Sequence, residues 1–176
     1  IIYRFTGEDL RIKSIHVEKN PYNAYRYGYT TPIDEYRQRS YLDFLREYVD
    51  RFVVQDIELQ EYCPDAVVIP RSIDLDRFDY VGTVNKERPL VVHAPSNPSV
   101  KGTPFVRAAV AQLRDEGLAF DYREIIDLPH DEAVALYRSS DIVVDQLHIG
   151  WYGVLSVEAM ALGKTVLTYI RDDLFE

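Results

Sequence analysis

The sequence predicts an α/β chain built on parallel, doubly wound sheets, and two observations carry that reading. Short apolar runs rich in Val and Ile lack the in-out alternation of a half-wet sheet, as expected of central strands covered on both faces. Amphipathic segments separate successive runs, so the strands are joined by right-handed crossovers and lie parallel.

The elements follow in order. Ile1-Ile2-Tyr3-Arg4-Phe5 reads as a buried strand running into a turn at Thr6-Gly7. A helix over 34–48, a strand over 51–55, a helix over 57–62 and a strand over 66–70 come next. Over 79–88 the periodicity lapses and polar residues gather around Gly82. Past it, a strand over 89–94 leads to a polar turn and a helix over 104–116, with Thr103 as N-cap and Pro104 in the first turn. A strand over 120–126, a helix over 131–139, a strand over 141–145, a helix over about 152–162 and a strand over 165–170 complete the series. The domain reading is therefore 1–81, a linker at 82–88, and 89–176. A chain that starts and stops in mid-sheet leaves edges bare, so each unit is expected to be incomplete and the chain a fragment.

Composition bounds the function classes. The 176 residues suggest one domain or two small ones, and 47% hydrophobic residues can bury a core, which excludes wholesale disorder. Twenty basic against 29 acidic side chains give a net charge of −9, spread evenly along the chain, so the cationic footprint that nucleic acid requires is missing. The single Cys63 excludes a disulfide framework and a cysteine zinc cage, and suits a reducing, cytoplasmic compartment. His16, His93, His130 and His148 are scattered without metal-ligand spacing. No apolar run approaches the roughly 18 residues of a membrane span, and nothing reads as a signal peptide. Tyr22, Tyr25, Tyr27 and Tyr29 could stack on a sugar, but loop packing with wet hydroxyls is the commoner use of such residues.

Two clusters could carry chemistry. In the first, the strand ending at His93-Ala94 passes through Ser96 and Asn97 to Lys101 at the mouth of the next helix. Ligands of open α/β sheets bind outside the carboxyl ends of strands, where helix N-termini offer N–H groups to phosphate, and Lys101 adds a mobile cation. A lysine in a polar turn is by itself usually just solvated. In the second, Asp145 and Gln146 end a strand, Gly150 and Gly153 let backbone approach a ligand closely, and Glu158 sits about one turn into the following helix. There a carboxylate can reach ligand hydroxyls, although helix-dipole compensation or a surface ion pair is its default role. Gly163-Lys164-Thr165 imitates the end of a P-loop, but Glu158 holds the required glycine position and a strand follows; it reads as a helix C-cap with a solvated Lys164. The Gly-x-Gly-x-x-Gly dinucleotide fingerprint is absent.

Residues 150–166, Gly-Trp-Tyr-Gly-Val-Leu-Ser-Val-Glu-Ala-Met-Ala-Leu-Gly-Lys-Thr-Val, resemble the signature of retaining GT-B glycosyltransferases of family 4, usually Glu-Gly-Phe-Gly-x-x-x-x-Glu-Ala-Met-Ala-x-Gly-x-Pro-Val. Three further stretches fall in the family's order: 67–78 resembles the interdomain Val-Ile-Pro-Asn-Gly-Ile-Asp segment, 93–103 the phosphate loop ending in Lys-Gly, and 128–141 the helix before the signature. Residues 5–11 also look like a first-domain loop. The resemblance implies two Rossmann-like parallel-sheet units, each incomplete here, with a nucleotide-diphosphate sugar as donor held mainly by the second. It implies that Lys101 binds the donor diphosphate, that Gly153 and Val154 offer it backbone N–H groups, and that Glu158 hydrogen-bonds the ribose hydroxyls. It further implies transfer to a carbohydrate, lipid-linked or other hydroxyl acceptor with retention and no obligatory metal or cofactor; peripheral membrane association is common in such enzymes and would concern the full-length protein, since no segment here supports it. Two departures stand out. Gly150 replaces the first signature Glu, and Ala94-Pro95-Ser96 replaces Gly-Arg, leaving Ser96 or Asn97 as hydrogen-bonding substitutes. Asp145 or Gln146 is the candidate to take over sugar contacts. A degenerate, non-catalytic nucleotide-sugar-binding or interaction protein is the alternative, and a sugar-nucleotide epimerase of the same architecture a third reading.

Overall fold

The computed structural model describes residues 1–31, 34–83 and 86–175. It resolves the chain into two compact Rossmann-like units, Ile1–Ser72 with Arg171–Glu176, and Ile73–Ile170. Residues 73–81, read from sequence as the end of the first domain, belong to the second unit; within the 82–88 linker, Val84 and Asn85 lie outside the described residues. The reason is packing: Phe78 is buried in the second unit's core, and the Val81 and Gly82 N–H groups donate to the Leu162 carbonyl at 3.1 and 3.0 Å.

The first unit carries a three-stranded parallel sheet in the order β1 (Ile2–Phe5), β2 (Arg51–Val54), β3 (Val67–Val68). Phe5, Leu10, Ile12, Phe52, Val54 and Leu59 centre its core, joined by Leu42 and Leu45 from α2 (Glu35–Arg46). β3 is shorter than the sequence suggests: Ile69 N–H still reaches the Val54 carbonyl at 2.9 Å, but Pro70 has no N–H to continue. The segment read as a helix over 57–62 is a 3-10 turn, Ile57–Glu61. Helix α1 (Lys13–Lys19) was not legible, because Ile15 and Val17 lower its helix propensity. Tertiary contacts hold it instead: buried His16 presents Nδ1 to the Tyr62 hydroxyl at 3.1 Å. Within the tyrosine-rich stretch, the Tyr25 and Tyr29 rings pack 5.4 Å apart with Lys13 over the Tyr25 ring, whereas Tyr22 and Tyr27 are exposed.

A buried charge network sits beyond the carboxyl end of β1. Arg11 donates from Nη1 to Glu8 at 2.6 Å and from Nη2 to Glu58, whose side chain is fully buried. Among the described residues, Arg11 Nε and Glu58 Oε2 find no hydrogen-bond partner. At the chain's other end, buried Arg171 donates from Nη1 and Nη2 to the Glu61 carboxylate at 2.9 and 2.6 Å and also holds Asp173. That fork clasps 171–175 to the first unit.

The second unit carries a four-stranded parallel sheet in the order β5 (Asp121–Glu124), β4 (Leu90–His93), β6 (Ile142–Val144), β7 (Thr165–Leu167). Alternate residues of the central strands face opposite layers. Val92 and Val143 pack with α5 (His130–Ser139) and α6 (Val154–Ala161), whereas Val91 and Val144 pack with α4 (Thr103–Asp115). An apolar groove of about 460 Å³ runs beside α4, lined by Val91, Phe105, Val110, Ile142, Val144 and Leu167. β4 and β6 are central, as their Val-rich sequences predict. β5 corrects that expectation: it is an edge strand with Asp121 and Arg123 exposed, and so alternates. Among the described residues no helix is long and apolar enough to cross a membrane.

Candidate functional site

In the second unit, the connection from β4 runs to β5 on one side, while that from β6 runs to β7 on the other. Between β4 and β6 the direction of winding therefore reverses, and a crevice opens outside their carboxyl ends. Register pairs His93 with Val144, so both strands stop at the same level and their loops meet there.

The loop after β4 is more ordered than a polar turn. Asn97 accepts from the Ser99 and Val100 N–H groups at 3.1 and 3.4 Å and caps a short helix, α3 (Pro98–Lys101), with Pro98 in its first turn. The Asn97-Pro98 pair was the available signal for that helix. The N-cap of α4 is Gly102, not Thr103. Thr103 is its first residue, and the Thr103 hydroxyl meets His93 Nε2 at 2.9 Å, while His93 Nδ1 donates to the Val144 carbonyl at 2.8 Å. Burial lowers the His93 pKa from 6.5, outweighing that hydrogen bond, so a neutral imidazole bolts the two strand ends to the helix start. Gly102 is required twice over: its φ is +77°, and a Cβ there would lie 2.9 Å from Leu147 Cβ. The Lys101 carbonyl accepts from Leu147 N–H at 3.1 Å, tying the two loops together.

Lys101 and Asp145 meet across the crevice. Lys101 Nζ donates to Gln146 Oε1 at 2.6 Å and lies 3.3 Å from Asp145 Oδ1. Asp145 Oδ2 accepts from Gly153 N–H and from the Ser156 hydroxyl, each at 2.6 Å, and the Asp145 side chain is 0% exposed. Gln146 Nε2 donates to the Trp151 carbonyl at 2.5 Å. Lys101 is thus a pinned cation rather than the mobile one expected. Asp145 uses both oxygens within the protein, anchoring the start of α6 and holding Lys101. Gly153 N–H is committed to Asp145, which leaves Val154, the first residue of α6, as the signature amide with no intrahelical acceptor. A Cβ at Gly153 would lie 2.8 Å from Asp145 Oδ2 and 3.2 Å from Lys101 Nζ, so glycine is needed for this close approach.

The remaining sequence candidates divide. Ser96 and Asn97 are exposed on the β4 loop, and Gly150 is buried in the β6 loop. Glu158 is 6% exposed and bonded through Oε1 to His130 Nε2 at 2.9 Å, a partner that sequence reading did not single out. Trp151 and Tyr152 lie half-buried with ring centroids 4.9 Å apart. Lys164 is not solvated: it is 7% exposed, Nζ donates to the Gly82 carbonyl at 2.6 Å, and burial lowers its pKa. No group of acidic, His or Cys side chains suited to a metal ion occurs among the described residues.

No protein-family model matches the sequence, and no curated protein does. The family resemblance stands on its motifs alone.

Proposed function

We propose that the chain carries the donor-binding part of a retaining glycosyltransferase, which moves a sugar from a nucleotide-diphosphate donor to an acceptor hydroxyl. The observation that supports this best is convergence. Lys101 from the phosphate-loop motif and the Gly153–Val154 start of the signature helix meet at one crevice, the switch point of the sheet, although 45 residues separate Lys101 from Gln146. A diphosphate entering there would accept the third N–H of the Lys101 ammonium, which keeps its contacts with Asp145 and Gln146, and would meet the N–H of Val154 at the start of α6. As the glycosidic bond breaks, the leaving diphosphate gains charge, so a fixed cation and amide stabilise the transition state more than the ground state. Asp145 acts in this reading through Lys101 and α6, as a positioning residue, and Glu158 takes the ribose hydroxyls.

One observation favours a second reading, a nucleotide-sugar binder without turnover. Gly150 supplies no side chain where the signature has its first Glu, and Asp145, the candidate replacement, is occupied. Incubating the chain with UDP-, GDP- and ADP-sugars and following release of the nucleoside diphosphate separates the two. Release above the spontaneous rate, abolished by Lys101→Ala, is the expected result. Saturable binding with no release would establish the second reading instead.

A further inference from the structure

We propose that His130 is the positioning residue for Glu158, holding that carboxylate ready to receive the 2′,3′-diol of a nucleoside diphosphate; the inference rests on the ribose role proposed for Glu158. A carboxylate only accepts, so the 2.9 Å contact requires that His130 Nε2 carry the proton and donate it to Glu158 Oε1. The partners are unequally placed: the Glu158 side chain is 8% exposed and the His130 side chain 52%. His130 therefore stands at the solvent side of a carboxylate that is otherwise sunk in the unit.

His130 is itself held. It is the first residue of α5, a helix tied to Arg77 near both of its ends. Asp131 pairs with Arg77 at 2.8 Å, and Arg138 donates to the Arg77 carbonyl at 2.7 Å. Ala133 N–H closes the first turn onto the Pro129 carbonyl at 3.0 Å. A helix fixed in this way delivers the imidazole to one place. Because a carboxylate oxygen has two lone pairs, Oε1 can keep the His130 bond while accepting a ligand hydroxyl. Fixing the glutamate rotamer beforehand removes an ordering cost that a free side chain would incur on binding.

The test is calorimetric titration of the chain with UDP, GDP and ADP and with their 2′,3′-dideoxy counterparts. For the nucleotide that binds, His130→Ala is expected to weaken affinity about tenfold, equivalent to about 1.4 kcal/mol. His130→Gln, whose Nε2 can donate from a similar position, is expected to restore affinity to within about threefold. Neither variant, nor Glu158→Ala, should alter binding of the dideoxy ligand. If Glu158→Ala selectively weakens the ribonucleotide but His130→Ala does not, the positioning role is overturned while the ribose reading stands. Were Glu158→Ala without effect, or no nucleotide to bind, that reading would fail and this inference with it. Equal weakening of both ligands by His130→Ala, without rescue by glutamine, would make His130 a structural prop and overturn the proposal.

Discussion

Replacing Asp145 with alanine is expected to lower the stability of the protein by about 3–5 kcal/mol, the range for breaking a buried pair from one side. Its carboxylate is completely buried and serves three donors at once: the Lys101 ammonium, the Gly153 N–H and the Ser156 hydroxyl. Truncation strands a cation that is only 17% exposed and leaves the start of α6 without its anchor. Asp145→Asn separates charge from hydrogen bonding, because the amide retains one accepting oxygen for Gly153 and Ser156 but cannot balance Lys101. The asparagine variant should therefore fall between wild type and alanine. Urea denaturation gives the ordering; a loss below about 1 kcal/mol for Asp145→Ala would contradict the anchoring role.

Arg11→Ala is expected to have an effect of similar size, about 3–5 kcal/mol at neutral pH, and to depend on pH in a defined direction. The Glu58 side chain is 0% exposed, and burial raises its pKa against the opposing field of Arg11. Without the guanidinium nothing opposes burial, and the carboxyl is pushed further up. A group that binds its proton more tightly in the folded than in the unfolded state contributes stability that is complete below its unfolded value and is lost as pH rises through its folded value. For Glu58 the ordinary value is 4.5, so the damage should be smallest near pH 4.5 and grow toward pH 8. Arg11→Met combined with Glu58→Leu removes both charges and should recover most of the loss. A defect in Arg11→Ala that did not change with pH would show that lost packing, not the buried charge, sets its size.

Much of the architecture was legible because Val- and Ile-rich runs alternate with amphipathic segments, and β2, β4 and β6 lie where such runs predicted. What failed has identifiable causes. Helix α1 owes its existence to the burial of His16 against Tyr62, a contact 46 residues apart that no local window contains. β5 was read as central together with the other apolar runs, whereas its own Asp-Tyr-Arg-Glu belongs to an edge. At the site, sequence placed Lys101, Asp145, Gln146 and Gly153 at the carboxyl ends of their strands and assigned Lys101 and Gly153 to one ligand, but foresaw none of the bonds they make to one another. That Asp145 would consume the Gly153 amide and pin Lys101 follows only from the switch-point geometry that brings the two loops together. Lys164 was misread for the same reason, since its acceptor, the Gly82 carbonyl, is 82 residues away.

The central claim is that Lys101 stands at a diphosphate site. Calorimetric titration of the chain with UDP, GDP and ADP, repeated on Lys101→Ala, tests it most directly. A hydrogen bond to a charged group contributes about 1.5–3 kcal/mol, so the variant should bind the preferred nucleoside diphosphate roughly 10- to 100-fold more weakly, with little change for the corresponding nucleoside. Equal affinity of wild type and Lys101→Ala for that diphosphate would contradict the account.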